Sequence, residues 1–250
     1  MDDKSKVNKL ILRSTYIVII VLIMAVIALL ILKYQVEGEQ NMPFKVSSII
    51  LISNAEGNQE KENKDYRWDT EIYQNNDIYI NIEKNKNYKK EEVIQSVVID
   101  NIQVNKEPQI GTIEFYRPSK ESTQVYRYEE EYKMADKIEY IGDKNSDIKN
   151  LKISNQGSTL IFRMVNKTGK RYVSNDEEFE HSGKLLNKVG ISYEEIKSKV
   201  SFDLIIKLES GVSFKATIKL ELPVGDITKE GSSSLEITDM SKIVFKREQA

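Results

Sequence analysis

The stretch Ser201–Leu222, SFDLIIKLESGVSFKATIKLEL, decides the fold class. Phe202, Leu204, Ile206 and Leu208 recur at every second position. Phe214, Ala216, Ile218, Leu220 and Leu222 do the same beyond Glu209-Ser210-Gly211. Period two is the period of a strand with one buried face. A two-residue Ser210-Gly211 turn would pair Leu208 with Ser213 and throw the two apolar sets onto opposite faces. A three-residue loop pairs Leu208 with Val212 and Ile206 with Phe214, which keeps one apolar face. Gly211 then takes the left-handed position that this loop class needs. The stretch predicts an antiparallel hairpin.

Outward from there, the same pattern recurs. Leu160, Phe162 and Met164 precede Lys167-Thr168-Gly169, and Tyr172 follows, which reads as a second glycine-closed hairpin over 160–174. Trp68, Thr70 and Ile72 face Ile78, Ile80 and Ile82 across Gln74-Asn75-Asn76, which reads as a third, turning on the asparagines. Val46–Ser53 reads as a strand, and the polar run 54–65, NAEGNQEKENKD, as a solvated loop. Further strands are expected near 93–104, 110–117, 124–132, 137–141, 149–154, 235–238 and 242–246. Ser192 with Glu195 makes a capping box for a short helix over 192–200, and Lys184–Val189 adds a turn of helix. The expected fold is mainly β: an antiparallel β-sandwich-like domain over 46–250 with one short helical insertion. Two sub-domains meeting near 142–148 are the alternative.

The N-terminus differs in kind. Ser14–Leu32, STYIVIIVLIMAVIALLIL, holds 19 uncharged residues, about 28 Å of helix and enough to cross a bilayer. No Ala-x-Ala pattern follows it, and Lys33 and Glu37 make Val36-Glu37-Gly38 a poor cleavage context, so it reads as a retained signal-anchor. Lys4, Lys6, Lys9 and Arg13 precede it, whereas Lys33 alone follows it closely. This bias expects residues 1–13 in the cytoplasm as a tail too short to fold, a stalk over 33–45, and an extracytoplasmic body beyond.

Composition narrows the chemistry. The 250 residues are 40% hydrophobic and 30% charged, with 37 basic and 39 acidic side chains, one histidine and no cysteine. That composition leaves out disulfide scaffolds, cysteine metal sites, cysteine nucleophiles and a basic nucleic-acid binder. A cysteine-free exterior domain suits a bacterial envelope. Asp143-Lys144-Asn145-Ser146-Asp147 begins like an EF-hand loop, but Ile148 replaces the turn glycine and Ser154 the closing glutamate, so a plain turn is expected. His181 ends the acidic run Asp176–His181, but consecutive residues on a loop rarely supply the fixed three-ligand geometry of a metal centre, so a solvated connector is expected. No nucleophile elbow or phosphate loop is present, and among so many serines and lysines chance pairs carry no weight. No cofactor, metal or catalytic residue is expected.

One surface feature stands out. Tyr126, Tyr128 and Tyr132 share strand parity, with Tyr116 and Tyr140 near by. Such a strip could stack on sugar rings or anchor a protein, but tyrosine is also a good strand residue that half-buries well, and packing is the preferred reading. The expectation is therefore a single-pass membrane protein with a non-enzymatic binding or assembly role in the cell envelope, working with a protein partner. Wall polysaccharide bound at the tyrosine strip is the first alternative, and a membrane-tethered serine–lysine hydrolase the second.

Overall fold

The computed structural model describes residues 2–35, 42–58, 65–119, 125–134, 137–145, 151–175 and 184–248. Residues 2–35 form helix α1 (Asp2–Gln35). Within it, Arg13–Leu30 is long and apolar enough to cross a membrane, and none of that window is buried. Strands follow as β1 (Phe44–Asn58), β2 (Trp68–Lys84), β3 (Ile94–Lys106), β4 (Thr112–Tyr116), β5 (Ile138–Gly142), β6 (Leu151–Ile153) and β7 (Thr159–Ser174). Helix α2 (Lys184–Lys188) leads to β8 (Ser198–Leu208) and β9 (Ser213–Leu222), and helix α3 (Ile227–Glu230) to β10 (Ser232–Ile237) and β11 (Lys246–Glu248).

Two sheets result, in the orders β10-β1-β2-β7-β4 and β11-β9-β8-β3-β5-β6. Every pairing is antiparallel except β5 with β6. The fold is mainly β and sandwich-like, with a short helical insertion, as the sequence predicts. A division near 142–148 would need strands to sort by sequence half. They interleave in both sheets instead, and one apolar cluster runs from Met42 to Phe245. Even-numbered positions of β2 (Ile78, Ile80, Ile82) face alternate positions of β8 and β9 across that core, where Phe162 meets Phe202 edge-on at 5.2 Å. A smaller cluster at the far end of the first sheet packs Ala55 and Ile72 under Leu185, Leu186, Ile191, Ile196 and Ile227.

The 201–222 hairpin forms in the expected register. Ile206 opposes Phe214, Leu208 N donates to Val212 O at 2.9 Å, and Gly211 has φ +83°. The other two hairpins do not form. β2 runs straight through Gln74-Asn75-Asn76, and β7 straight through Lys167-Thr168-Gly169. The physical reason is that both strands gain partners on both edges, β1 and β7 flanking β2, and β2 and β4 flanking β7. A turn would give up those ladders. At Gly169, φ +68° serves a bulge: the pairing steps from Glu71–Arg171 to Tyr73–Lys167, and Thr168 Oγ1 donates to Ile72 O at 2.5 Å.

Smaller differences have similar causes. β1 continues to Asn58 through the first part of the polar run expected as loop, because Asn54–Asn58 pair with Glu71–Asn75. Residues 59–64 of that run lie outside the described residues. α1 extends to Gln35, while Met42 and Phe44 already sit in the core, which shortens the expected stalk from both ends. The Ser192–Glu195 capping box is present but encloses only a 3₁₀ turn, Tyr193–Ile196, after which Val200 belongs to β8. The strand expected at 242–246 lies later, at Lys246–Glu248. The strand expected over 124–132 is absent: residues 125–129 are irregular and Glu130–Tyr132 is a 3₁₀ turn.

Candidate functional site: a strapped polar face

That last difference changes where the tyrosines go. Parity divides the first sheet. Odd positions of β2 and β7 (Tyr73, Asn75, Asp77; Arg163, Val165, Lys167) lie on the face turned away from the second sheet, with Glu56 of β1 and Glu114 and Tyr116 of β4. Residues 125–134, which follow β4, pass over this face as a strap. Arg117 N donates to Tyr132 O at 2.9 Å and Met134 N to Phe115 O at 2.7 Å, which ties the end of the strap to β4.

Arg163 is the centre of the covered face. Its guanidinium grips Asp77 with Nε at 2.5 Å and Nη2 at 2.9 Å, and Nη1 donates to the Tyr128 hydroxyl at 2.8 Å. The forked geometry matches a carboxylate, which a lysine could not reproduce. Both side chains are about nine-tenths buried, 12% and 11% exposed. Tyr128 donates to Glu56 Oε2 at 3.0 Å, and Asn75 Nδ2 donates to the same oxygen at 2.6 Å. The Tyr126 ring lies 4.3 Å from the guanidinium carbon, a cation–π contact in a dry setting. Burial works against the Arg163 charge, but the hydrogen bond and charge of Asp77 outweigh it and hold its pKa above the usual value. Burial first, then the Asp77 charge, push the Tyr126 phenol up, and its hydroxyl is buried without a hydrogen-bond partner among the described residues.

Beside it stands a second carboxylate. Glu114 accepts from Lys133 at 2.7 Å, Lys167 at 2.8 Å and the Tyr116 hydroxyl at 2.5 Å. Burial alone would raise its pKa, but these three donors bring it down to about 2. Burial and the hydrogen bond to Glu114 push Tyr116 up to about 12. Tyr73 and Tyr116 each meet Tyr128 edge-on at 5.4 Å.

The three tyrosines singled out in the sequence are thus brought together, but inward. Tyr126 and Tyr132 are buried, and Tyr128 is half-buried between two other rings. They do not present a stacking strip to solvent. The sequence reading missed Asp77, Arg163, Glu56 and Glu114. A usable signal existed: once Ile78 opposes Phe162, Asp77 must oppose Arg163 on the other face. His181 lies outside the described residues, as do Ser146 and Asp147 of the EF-hand-like run; Asp143, Lys144 and Asn145 form a turn closed by Asn145 N donating to Gly142 O at 3.0 Å.

Chemically, the strapped face holds a segment down. Its charges are matched one against another, and the shifts of Arg163 and Glu114 both favour the charged form. Among the described residues no three His, Asp or Glu side chains gather as a metal site. Lys133, Lys197, Lys215 and Lys229 are all raised by hydrogen-bonded carboxylates (Glu114, Glu194, Asp203 and Asp226). A serine–lysine base needs the opposite shift. Elsewhere, a groove of about 520 Å³ opens beside the start of β1, lined by Met42, Val46, Met240, Ile243 and Phe245.

Fold and site together define a β-sandwich-like body with an internally neutralised, strapped face, preceded by one helix apolar enough to span a membrane. The chain matches no family model, no curated protein and no solved structure.

Proposed function

We propose that the chain is a single-pass, N-in membrane protein whose β body stands outside the cytoplasm and has a non-enzymatic binding or assembly role in the cell envelope, with a protein as partner. The observation that carries this reading is the exposed Arg13–Leu30 helix. Most of the large exposed apolar side chains of the described chain fall within it, whereas the body buries its own in two sheets. Such a helix is costly in water and at home in lipid. The basic residues that precede it support the orientation. A protein partner is preferred over wall polysaccharide because a glycan platform needs displayed rings, and Tyr126 and Tyr132 are interior.

Because the chain lacks cysteine, single cysteines report topology cleanly. In intact cells a membrane-impermeant maleimide is expected to label Val173→Cys, and to label Ser5→Cys only after lysis. The reverse pattern would sink the orientation. In-cell crosslinking of the full-length protein is expected to recover one stoichiometric membrane or secreted protein. Recovery of wall polymer alone would refute the assembly role.

A further inference from the structure

Four strands end the two sheets, and three of them are closed off. β4 is covered by the strap through Met134 N to Phe115 O and by the bridge between Tyr116 and Lys133. β11 and β6 are each three residues long, and every residue of β11 is charged. Short, charged or covered edges resist strand addition. β10 has none of these devices. Its six residues, SSSLEI, carry one charge, no proline and no bulge, and its outer edge pairs with no strand among the described residues. Leu235 opposes the buried Leu51 on the core side of the sheet, yet is 47% exposed. The core stops short of this edge.

We propose that two copies of this chain pair antiparallel through β10 about a two-fold axis at Leu235, joining their first sheets into one. A strand pair keeps its faces only when residues of like parity oppose each other, and an isologous contact uses the same patch twice. Centred on Leu235, the two half-exposed leucines cover each other, Glu236 meets Ser234 of the second copy, and Ile237 meets Ser233. Centring on Glu236 would set two carboxylates face to face, which is unfavourable. Centring on Ser234 leaves each leucine against a serine. The sequence of the edge is therefore self-complementary in the one of these registers that covers Leu235 with an apolar side chain without opposing two carboxylates. This pairing is a property of the folded body and does not depend on the envelope partner proposed above.

Directly opposed residues in an antiparallel pair have Cα atoms about 4.5–5.5 Å apart, within disulfide range. Full-length Leu235→Cys, in native membranes and in detergent, is expected to oxidise to a covalent dimer several-fold faster than Val173→Cys, a similarly exposed site on β7. Wild-type protein in detergent is expected to sediment as a dimer, and Leu235→Lys as a monomer with an unchanged circular dichroism spectrum. Equal crosslinking at the two sites, a monomeric wild type, or a Leu235→Lys variant that stays dimeric would overturn the proposal.

Discussion

The β8–β9 hairpin and strand β7 make an instructive pair. Each has alternating apolar residues, then a three-residue run ending in a glycine with positive φ, Gly211 at +83° and Gly169 at +68°. One run reverses the chain; the other only swells it into a bulge. The difference lies in what surrounds them. β8 has β3 on one edge and is free to take β9 on the other, so folding back completes the sheet. β7 lies between β2 and β4, and its middle carries Arg163 and Asn166, whose partners Asp77 and Gln74 sit on β2 in line with them. A polar run in mid-strand is tolerable only where such partners wait. A glycine-last run thus permits a turn, and the neighbours decide whether one is made.

Four measurements on the full-length protein test that contrast. The largest effect is expected from Arg163→Ala, which leaves Asp77 buried without its cation and should destabilise by about 3–5 kcal/mol in denaturant unfolding. If instead the cost is below about 1 kcal/mol, the strapped face does not hold β7 straight. Tyr128→Phe removes the hydroxyl shared by Arg163, Asn75 and Glu56 and should cost about 1.5–3 kcal/mol. It should also raise protease cutting within 117–134 while leaving the β8–β9 hairpin protected in hydrogen exchange.

Glu114 supplies a pH test. Its pKa is depressed, so its contribution is full above the ordinary carboxylate pKa near 4.5 and is lost as pH falls toward about 2. The stability at stake is about 1–2 kcal/mol, discounted for the partial exposure of the site. Glu114→Gln should remove that amount at neutral pH and flatten the acid limb between pH 4.5 and 2. An unchanged acid limb would show that the triad of donors is not formed. An effect of the same order as that of Glu114 should come from Gly169→Ala and Gly211→Ala. Neither glycine has a heavy atom within 4 Å of an added Cβ, so each substitution carries only backbone strain, about 1–2 kcal/mol. A much larger loss at one site than at the other would break the equivalence drawn between bulge and turn.

Legibility followed locality. The capping box at Ser192 and Glu195, the 201–222 register and the apolar helix are set by residues near one another in sequence, and each was readable. The burial of Tyr126 and Tyr132 follows the packing that tyrosine propensity favours, but the 3₁₀ turn that carries Tyr132 is not legible, because 124–132 has the alternation of a strand. Arg163 was invisible for another reason. A lone arginine between phenylalanine and methionine has meaning only beside Asp77, 86 positions away.

By itself, the sequence determined a mainly β body behind an apolar helix, since period-two alternation and an uncharged span of bilayer length are both local physical facts. It also determined the register of the one hairpin whose two halves share a single apolar face. The tertiary structure decided the rest: which polar runs extend and which turn, which tyrosines are interior, and which sheet edge is left open. Those outcomes depend on long-range pairing, where a backbone group or a charge is satisfied by a residue far along the chain, and no window of sequence contains both partners.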